Sequence, residues 1–138
     1  MRSPSISVHF ARAVLKHTVR HGLDPITLLR KNRISPRLLL EDDARISVER
    51  FADLQVSTML ALQDESLGYA SRRMPIGSWS MMCLAGISSA TLGQALSRLC
   101  GFYQGGVVGL HPVLESVGVE TLLSLQEGVD RAVSGGCL

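Results

Sequence analysis

The residues best suited to chemistry in this chain are its histidines, and their spacing limits what they can do. His17 and His21 stand four positions apart, which lets two imidazoles on one helix share a metal ion. A metal site needs a third ligand, and His9 lies eight residues further back with no cysteine or carboxylate beside it. The pattern favours two polar residues on a basic helix face, and we expect no metal site.

The cysteines give no catalytic pattern. Cys83, Cys100 and Cys137 are an odd number at no metal-like spacing, and His111 is the one histidine beyond residue 21 that could serve a thiol as a base. We therefore expect the cysteines to be small apolar core residues of a protein in a reducing, cytoplasmic compartment.

Serine nucleophiles, acidic metal cages and phosphate loops are not indicated either. The segments around Ser66 and Ser78 lack the Gly-x-Ser-x-Gly pattern of a nucleophile elbow. Residues 41–43 form a single acidic group with no second acidic motif, and Gly105-Gly106 precedes a strand-like segment instead of a helix. We expect a protein that is not an enzyme and that binds no cofactor.

One apolar group has the composition of a small-molecule site. Methionine side chains adapt to varied ligand shapes, while tryptophan and tyrosine add polar groups to an apolar wall. An arginine beside the group could pair with a carboxylate of the ligand, although it could equally be a surface charge. Ordinary packing between two helices explains the apolar residues as well, so both interpretations stay open. The candidate ligand-binding residues are Trp79, Met82, Cys83, Leu99, Cys100, Tyr103 and Arg73.

Capping signals and a helical apolar period organise the first two-thirds of the chain. Asp24, Ser47 and Asp64 stand where helix N-caps are expected. On the first helix, the residues expected to face the core are Phe10, Val14, Leu15 and Val19. The predicted helices are residues 6–21, a short helix from Pro25 through Leu29, a short turn from Pro36 to Leu40, and residues 48–62, 65–73 and 90–103. Residues 78–86 form a short apolar stretch.

After Tyr103 the apolar period becomes alternating. Residues 107–110, 113–115 and 117–125 are strand-like, with a tight turn at residues 116–118. Helices followed by strands predict an α+β fold. We expect one domain, residues 1–138, with a mostly helical part at 6–104 and a small antiparallel hairpin or sheet at 107–126. Two or three strands are few for a free-standing sheet, so we expect the sheet to be incomplete.

An ordered series of short segments resembles the regulatory domain of AraC-type bacterial transcription regulators. The segments are Leu28-Leu29-Arg30, Ile34-Ser35-Pro36, Asp43-Ala44-Arg45-Ile46, Phe51, Asp64-Glu65-Ser66-Leu67-Gly68, Met74-Pro75-Ile76-Gly77-Ser78, Ser88-Ser89-Ala90-Thr91-Leu92-Gly93-Gln94-Ala95-Leu96 and Cys100-Gly101-Phe102-Tyr103. The series is more specific than any of its members. The resemblance implies a domain that senses a small effector, such as a carboxylate-bearing metabolite or a fatty acid, and that forms a homodimer.

The same resemblance implies a C-terminal pair of helix-turn-helix units, which this sequence lacks. We therefore expect a truncated regulator whose contact with DNA needs that further domain. Residues 1–37 hold eight basic residues and one acidic residue, a net charge of +7, which suits a solvated helix face or a surface for DNA or a partner. No apolar run approaches the ~18 residues of a membrane span. The alternative function is a stand-alone helical interaction module without a ligand.

Overall fold

The α+β fold predicted from the sequence is confirmed by the structure, a computed structural model that describes residues 4–104, Leu110–Val117 and Glu120–Glu127. The helices are α1 (Val8–Leu15), α2 (Pro25–Lys31), α3 (Val48–Leu62), α4 (Ser78–Ile87) and α5 (Leu92–Gln104). The strands are β1 (Ser5–Ser7), β2 (Arg45–Ser47), β3 (Leu110–Val117) and β4 (Glu120–Glu127), and 3₁₀ turns occupy Val19–His21 and Pro36–Leu40. The chain divides into two compact units after Tyr69.

The first unit packs α1, α2 and α3 around one apolar core. Its buried members are Val8, Ala11, Val14, Leu15, Leu28, Leu29, Ile34, Ile46 and Leu54. The strands β1 and β2, which the sequence did not predict, pair antiparallel with Ile6 opposite Ile46. Each strand ends in a serine that caps the following helix, because Ser7 Oγ accepts from the amide of His9 and Ser47 Oγ accepts from that of Arg50.

The first predicted helix is shorter than expected. It ends at Leu15, and the chain continues through a 3₁₀ turn. The hydroxyl and the amide of the fully buried Thr18 both donate to the Leu15 carbonyl, at 2.7 and 3.2 Å. A residue three positions on therefore satisfies this carbonyl, which in a longer helix would accept from the amide four positions on. Val19, beyond the end of α1, is 69% exposed instead of facing the core. Phe10 lies within α1 but not on its buried face, and it is 54% exposed, so that expectation is also wrong.

The predicted helix over residues 65–73 is wrong. Asp64 does stand at the start of the segment, but its carboxylate accepts from the amide and hydroxyl of Ser66 and from the amide of Gly68. These bonds close a turn in which Leu67 and Gly68 take left-handed backbone angles, φ 55° and 79°. An aspartate that offers the backbone such partners competes with the helix.

The second unit contains α4, α5 and the hairpin of β3 and β4. The apolar stretch after residue 77 is a helix, and α5 begins at Leu92, two residues later than predicted. The hairpin pairs Leu110 with Glu127 through to Val117 with Glu120. The sequence predicted that Val117 begins the last strand. In the structure Val117 instead ends β3. The predicted segment 107–109 and part of the predicted turn lie outside the described residues.

Candidate functional site

A second apolar cluster lies in the second unit and brings α4 and α5 together. Met82 is fully buried and Met74 nearly so. The partly buried side chains that pack against these two methionines are Ala70, Leu99, Phe102 and Tyr103. The cluster is apolar except for the phenol of Tyr103.

Helical spacing explains how the two helices meet. On α4 the buried residues Ser78 and Met82 are four apart, and Gly86 continues the same stripe. A Cβ built on Gly86 would lie 3.8 Å from the Cβ of Ala95, so the backbone of α4 approaches α5 closely at this point. Arg98 of α5 donates to the carbonyl oxygen of Ala85 at 3.1 Å, which satisfies one of the free carbonyls near the end of α4.

Local hydrogen bonds fix the ends of these helices. The hydroxyl of Ser78 donates to the Pro75 carbonyl at 2.6 Å, at the beginning of α4. At the beginning of α5, Thr91 Oγ1 accepts from the amide of Gln94, while Gln94 Oε1 accepts from the amide of Ala90. Together these two bonds cap the first turn and explain why the helix starts at Leu92.

The structure divides the candidate residues into two groups. Met82, Leu99 and Tyr103 belong to the cluster, and Cys100 is buried in the same helix. The exposed candidates are Trp79, Cys83 and Arg73. The expectation that Cys83 is a core residue is wrong, because α4 turns it to solvent. That expectation holds for Cys100, and Cys137 lies outside the described residues.

Two members of the cluster were missed by the sequence reasoning. Phe102 stands three residues after Leu99, a spacing that already places both on one helix face, and its ring meets that of Tyr103 edge-on at 6.2 Å. Met74 precedes a proline, and the segment reads as a loop in the sequence, yet the side chain is buried. Burial of a loop residue has no periodic signal that could reveal it.

The histidine pair packs against the turn that follows α3. The ring of His17 meets that of Tyr69 edge-on at 4.5 Å, and the Tyr69 hydroxyl donates to the Ala13 carbonyl at 2.7 Å. Gly68 lies against both His17 and His21. Within the described ranges, no three histidine, cysteine or acidic side chains lie close enough to hold a metal ion.

Hydrogen bonds lower the pKa values of two exposed carboxylates in the first unit. The pKa of Asp24 is lowered mainly by the hydroxyl of Thr27 and by the amide of Ile26, which donate to it at the beginning of α2. The pKa of Asp42 is lowered mainly by its hydrogen bond from Arg12, at 2.7 Å. Both shifts favour the charged form.

The comparison with protein families gives the class of this protein. Residues 22–133 match the model of the N-terminal arabinose-binding domain of the AraC transcription regulator. Because this range is most of the chain, the chain belongs to that family, as its ordered motifs had suggested. It is a regulatory, effector-binding domain of a transcription regulator. A search of curated proteins finds no match. Among the described residues, no helix is long and apolar enough to span a bilayer.

Proposed function

We propose that this domain senses a small effector that carries a carboxylate on an apolar body, and that the effector binds at the cluster between α4 and α5. The observation that carries the proposal is the composition of that cluster. Thioether, aliphatic and aromatic groups from Met74, Met82, Leu99, Phe102 and Tyr103 come together there. Such a surface suits the hydrocarbon part of a fatty acid or a related metabolite.

The polar groups of the site favour a carboxylate over a sugar. Arg73 is exposed and directly precedes Met74, a buried member of the cluster. The sequence therefore places a guanidinium next to a residue of the cluster. A guanidinium can bind a carboxylate through two parallel hydrogen bonds. A sugar presents hydroxyl groups on all sides, and each buried hydroxyl needs a partner. Among the side chains of the cluster, the phenol of Tyr103 is the one polar group, whereas a buried sugar would need several.

Thermal unfolding in the presence of candidate effectors tests this proposal. We expect decanoate to raise the Tm, acetate to raise it less, and L-arabinose to leave it unchanged. A ligand at a hundred times its Kd stabilises the folded state by about 2.7 kcal/mol. Arg73→Gln should reduce the shift with decanoate, whereas Arg72→Gln, the matched change one residue earlier, should not.

A shift with arabinose alone would refute the carboxylate class, and equal responses of the two arginine variants would refute the role of Arg73. No shift with any compound would favour the second candidate function, an interaction module without a ligand. The observation that favours that module is the surface of α4. Its exposed side chains include Trp79, Leu84 and Ile87, and it contains no charged residue.

We also propose that the domain forms a homodimer. Among the residues that the structure describes, β4 pairs with β3 alone, and we propose that its other edge pairs with a strand of a second copy. Sedimentation at tens of micromolar tests this, with Leu122→Lys on β4 and Leu40→Lys in the first unit as a control. Both leucines are exposed. A dimer that resists Leu122→Lys, or a monomeric parent protein, would refute the arrangement.

The remaining aspects of the proposed function follow from the family. We infer that the domain catalyses no reaction, since its regulatory role requires binding alone. Sequence-specific reading of DNA is assigned to the helix-turn-helix units that the family resemblance implies. A bacterial regulator meets its DNA in the cytoplasm, and we place the protein there.

A further inference from the structure

The first unit carries a group of exposed cations that lie close together in the sequence. Its members are exposed and come from the 3₁₀ turn before α2, from the last turn of α2 and from the segment after it: Arg20, Arg30, Lys31, Arg33 and Arg37. Among the residues that the structure describes, none of the five forms an ion pair. We call these five residues the basic segment.

The acidic residue nearest to the basic segment in the sequence already has hydrogen-bond donors of its own, and of the five cations it interacts electrostatically with Arg30. Asp24 is the one carboxylate between residues 20 and 37. Its oxygens accept from the amides of Ile26 and Thr27 and from the Thr27 hydroxyl. Residues 38–138 hold six basic and eleven acidic residues, a net charge of −5, so the positive charge of the chain is concentrated at this end of the sequence.

The backbone at Arg33 gives a second, independent observation. Arg33 has φ 57°, and the bonds from its amide to the Arg30 carbonyl and from the Ile34 amide to the Leu29 carbonyl form the ending at which glycine is the usual residue. Ile34 is buried against Leu29 and accounts for the turn, whereas the exposed arginine adds nothing to the packing. An arginine therefore occupies a position that favours glycine.

The helix dipole explains the positions of only some of the cations in the basic segment. Arg30 and Lys31 lie in the last turn of α2, where the helix dipole favours cations. Arg33 and Arg37 lie beyond that helix, so the dipole does not account for them. Their guanidinium groups are free to form bidentate bonds with an oxyanion.

We propose that the basic segment binds the phosphate backbone of duplex DNA. The chain belongs to a family of transcription regulators, so DNA is the polyanion that this protein meets in its function. Phosphate contacts carry no sequence information but fix the position of a protein on the duplex. The proposal goes beyond effector sensing, because it assigns a DNA contact to the regulatory domain itself.

Fluorescence anisotropy with a labelled random-sequence duplex tests the proposal on the 138-residue chain. Five phosphate contacts should weaken binding roughly 500-fold between 50 and 200 mM salt, since the slope of log K against log salt is about −0.9 per contact. Absence of binding at low salt, or tighter binding to single-stranded RNA or to polyglutamate than to the duplex, would overturn it.

Two variants separate a DNA contact from a general charge effect. Arg33→Gln/Arg37→Gln should reduce the slope by about 1.8, whereas Arg50→Gln/Arg72→Gln, which removes two exposed charges elsewhere, should leave it within about 0.5. Equal effects of the two pairs would overturn the proposal. Arg33→Gly should reduce the slope by about 0.9 while raising the Tm, because glycine suits the left-handed backbone. A raised Tm with an unchanged slope would show that Arg33 binds no phosphate.

Discussion

Gly68 and Gly22 have the same positive φ but different surroundings, which allows a sharp test of the packing after α3. Their φ angles are 79° and 78°. A Cβ added at Gly68 would lie 2.9 Å from the Cβ of His17 and 3.1 Å from Nε2 of His21, whereas nothing lies within 4 Å of a Cβ added at Gly22. Replacing each glycine with alanine therefore separates backbone strain from steric overlap.

Both substitutions carry the same cost in backbone strain. Alanine in the left-handed region costs about 1–2 kcal/mol, and this is the whole expected effect of Gly22→Ala. At Gly68 the Cβ of His17 must also move, and that atom is held by its own backbone. Overpacking of this kind costs about 1–3 kcal/mol. We therefore expect Gly68→Ala to lower the free energy of unfolding by about 2–5 kcal/mol.

Urea unfolding followed by far-ultraviolet circular dichroism measures this difference. Equal m-values for the two variants would show that the change lies in stability and not in the extent of the unfolded surface. If Gly68→Ala were no more destabilising than Gly22→Ala, the turn would have to move away from His17 at little cost. That result would refute the close packing of Gly68 against the histidines.

Three further predictions concern burial and charge. Met82→Ala should lower the free energy of unfolding by about 2–5 kcal/mol because Met82 is fully buried, while Met81→Ala, at an exposed position of the same helix, should change it by less than about 0.5 kcal/mol in urea titrations. Asp24→Ala should lower the Tm at neutral pH. The pKa of Asp24 is lowered in the folded state, so its charged carboxylate stabilises the fold fully above the ordinary aspartate pKa of about 3.9. This stabilisation is lost as the pH falls through the lowered pKa. A difference in Tm between the variant and the parent protein that persists in strong acid would contradict the assignment. Arg12→Gln should raise the pKa of Asp42 towards its ordinary range, as a carboxyl-carbon NMR titration would show, and an unmoved titration would contradict the ion pair.

The parts of the fold that the sequence predicted well are those with local causes. Asp24 followed by Pro25 begins α2 as expected, with the carboxylate bonded to the free amides of the first turn. Ser47 begins α3, and the observed bounds, Val48–Leu62, agree with the predicted ones. In both cases the residues that define the helix start lie within a few positions of one another.

The predictions that were wrong concern residues whose side chains can form two different local hydrogen-bonded structures. Asp64 looks like a helix cap in the sequence, yet its carboxylate closes a turn with Ser66 and Gly68. Thr18 stands in an amphipathic helical pattern, but its buried hydroxyl bonds back to Leu15 just beyond the end of α1. A propensity cannot decide between a cap and a turn, because both satisfy the backbone, and tertiary packing makes the choice.

The candidate site was only partly predictable because α4 has no charged residue. A helix with polar residues on one side reveals which face is buried, but α4 is apolar on almost every side. The sequence therefore grouped Trp79 and Cys83 with Met82, and only the structure shows that the first two are exposed. On α5, Gln94 and Arg98 mark the polar side, and the candidates Leu99 and Cys100 are half-buried and buried. The apolar pattern of the same helix also favours an inward Leu92, which is 75% exposed in the structure.

The two proposals place effector sensing and DNA contact in different units of one chain, and this makes their coupling measurable. Arg73→Gln should weaken the response to decanoate without changing the salt slope of DNA binding, and Arg33→Gln/Arg37→Gln should do the reverse. If the effector regulates the DNA contact, the coupling must be reciprocal. An effector that weakens DNA binding by a given factor must bind the DNA complex more weakly by the same factor. Equal effector affinities in the presence and absence of DNA would show that the two sites act independently.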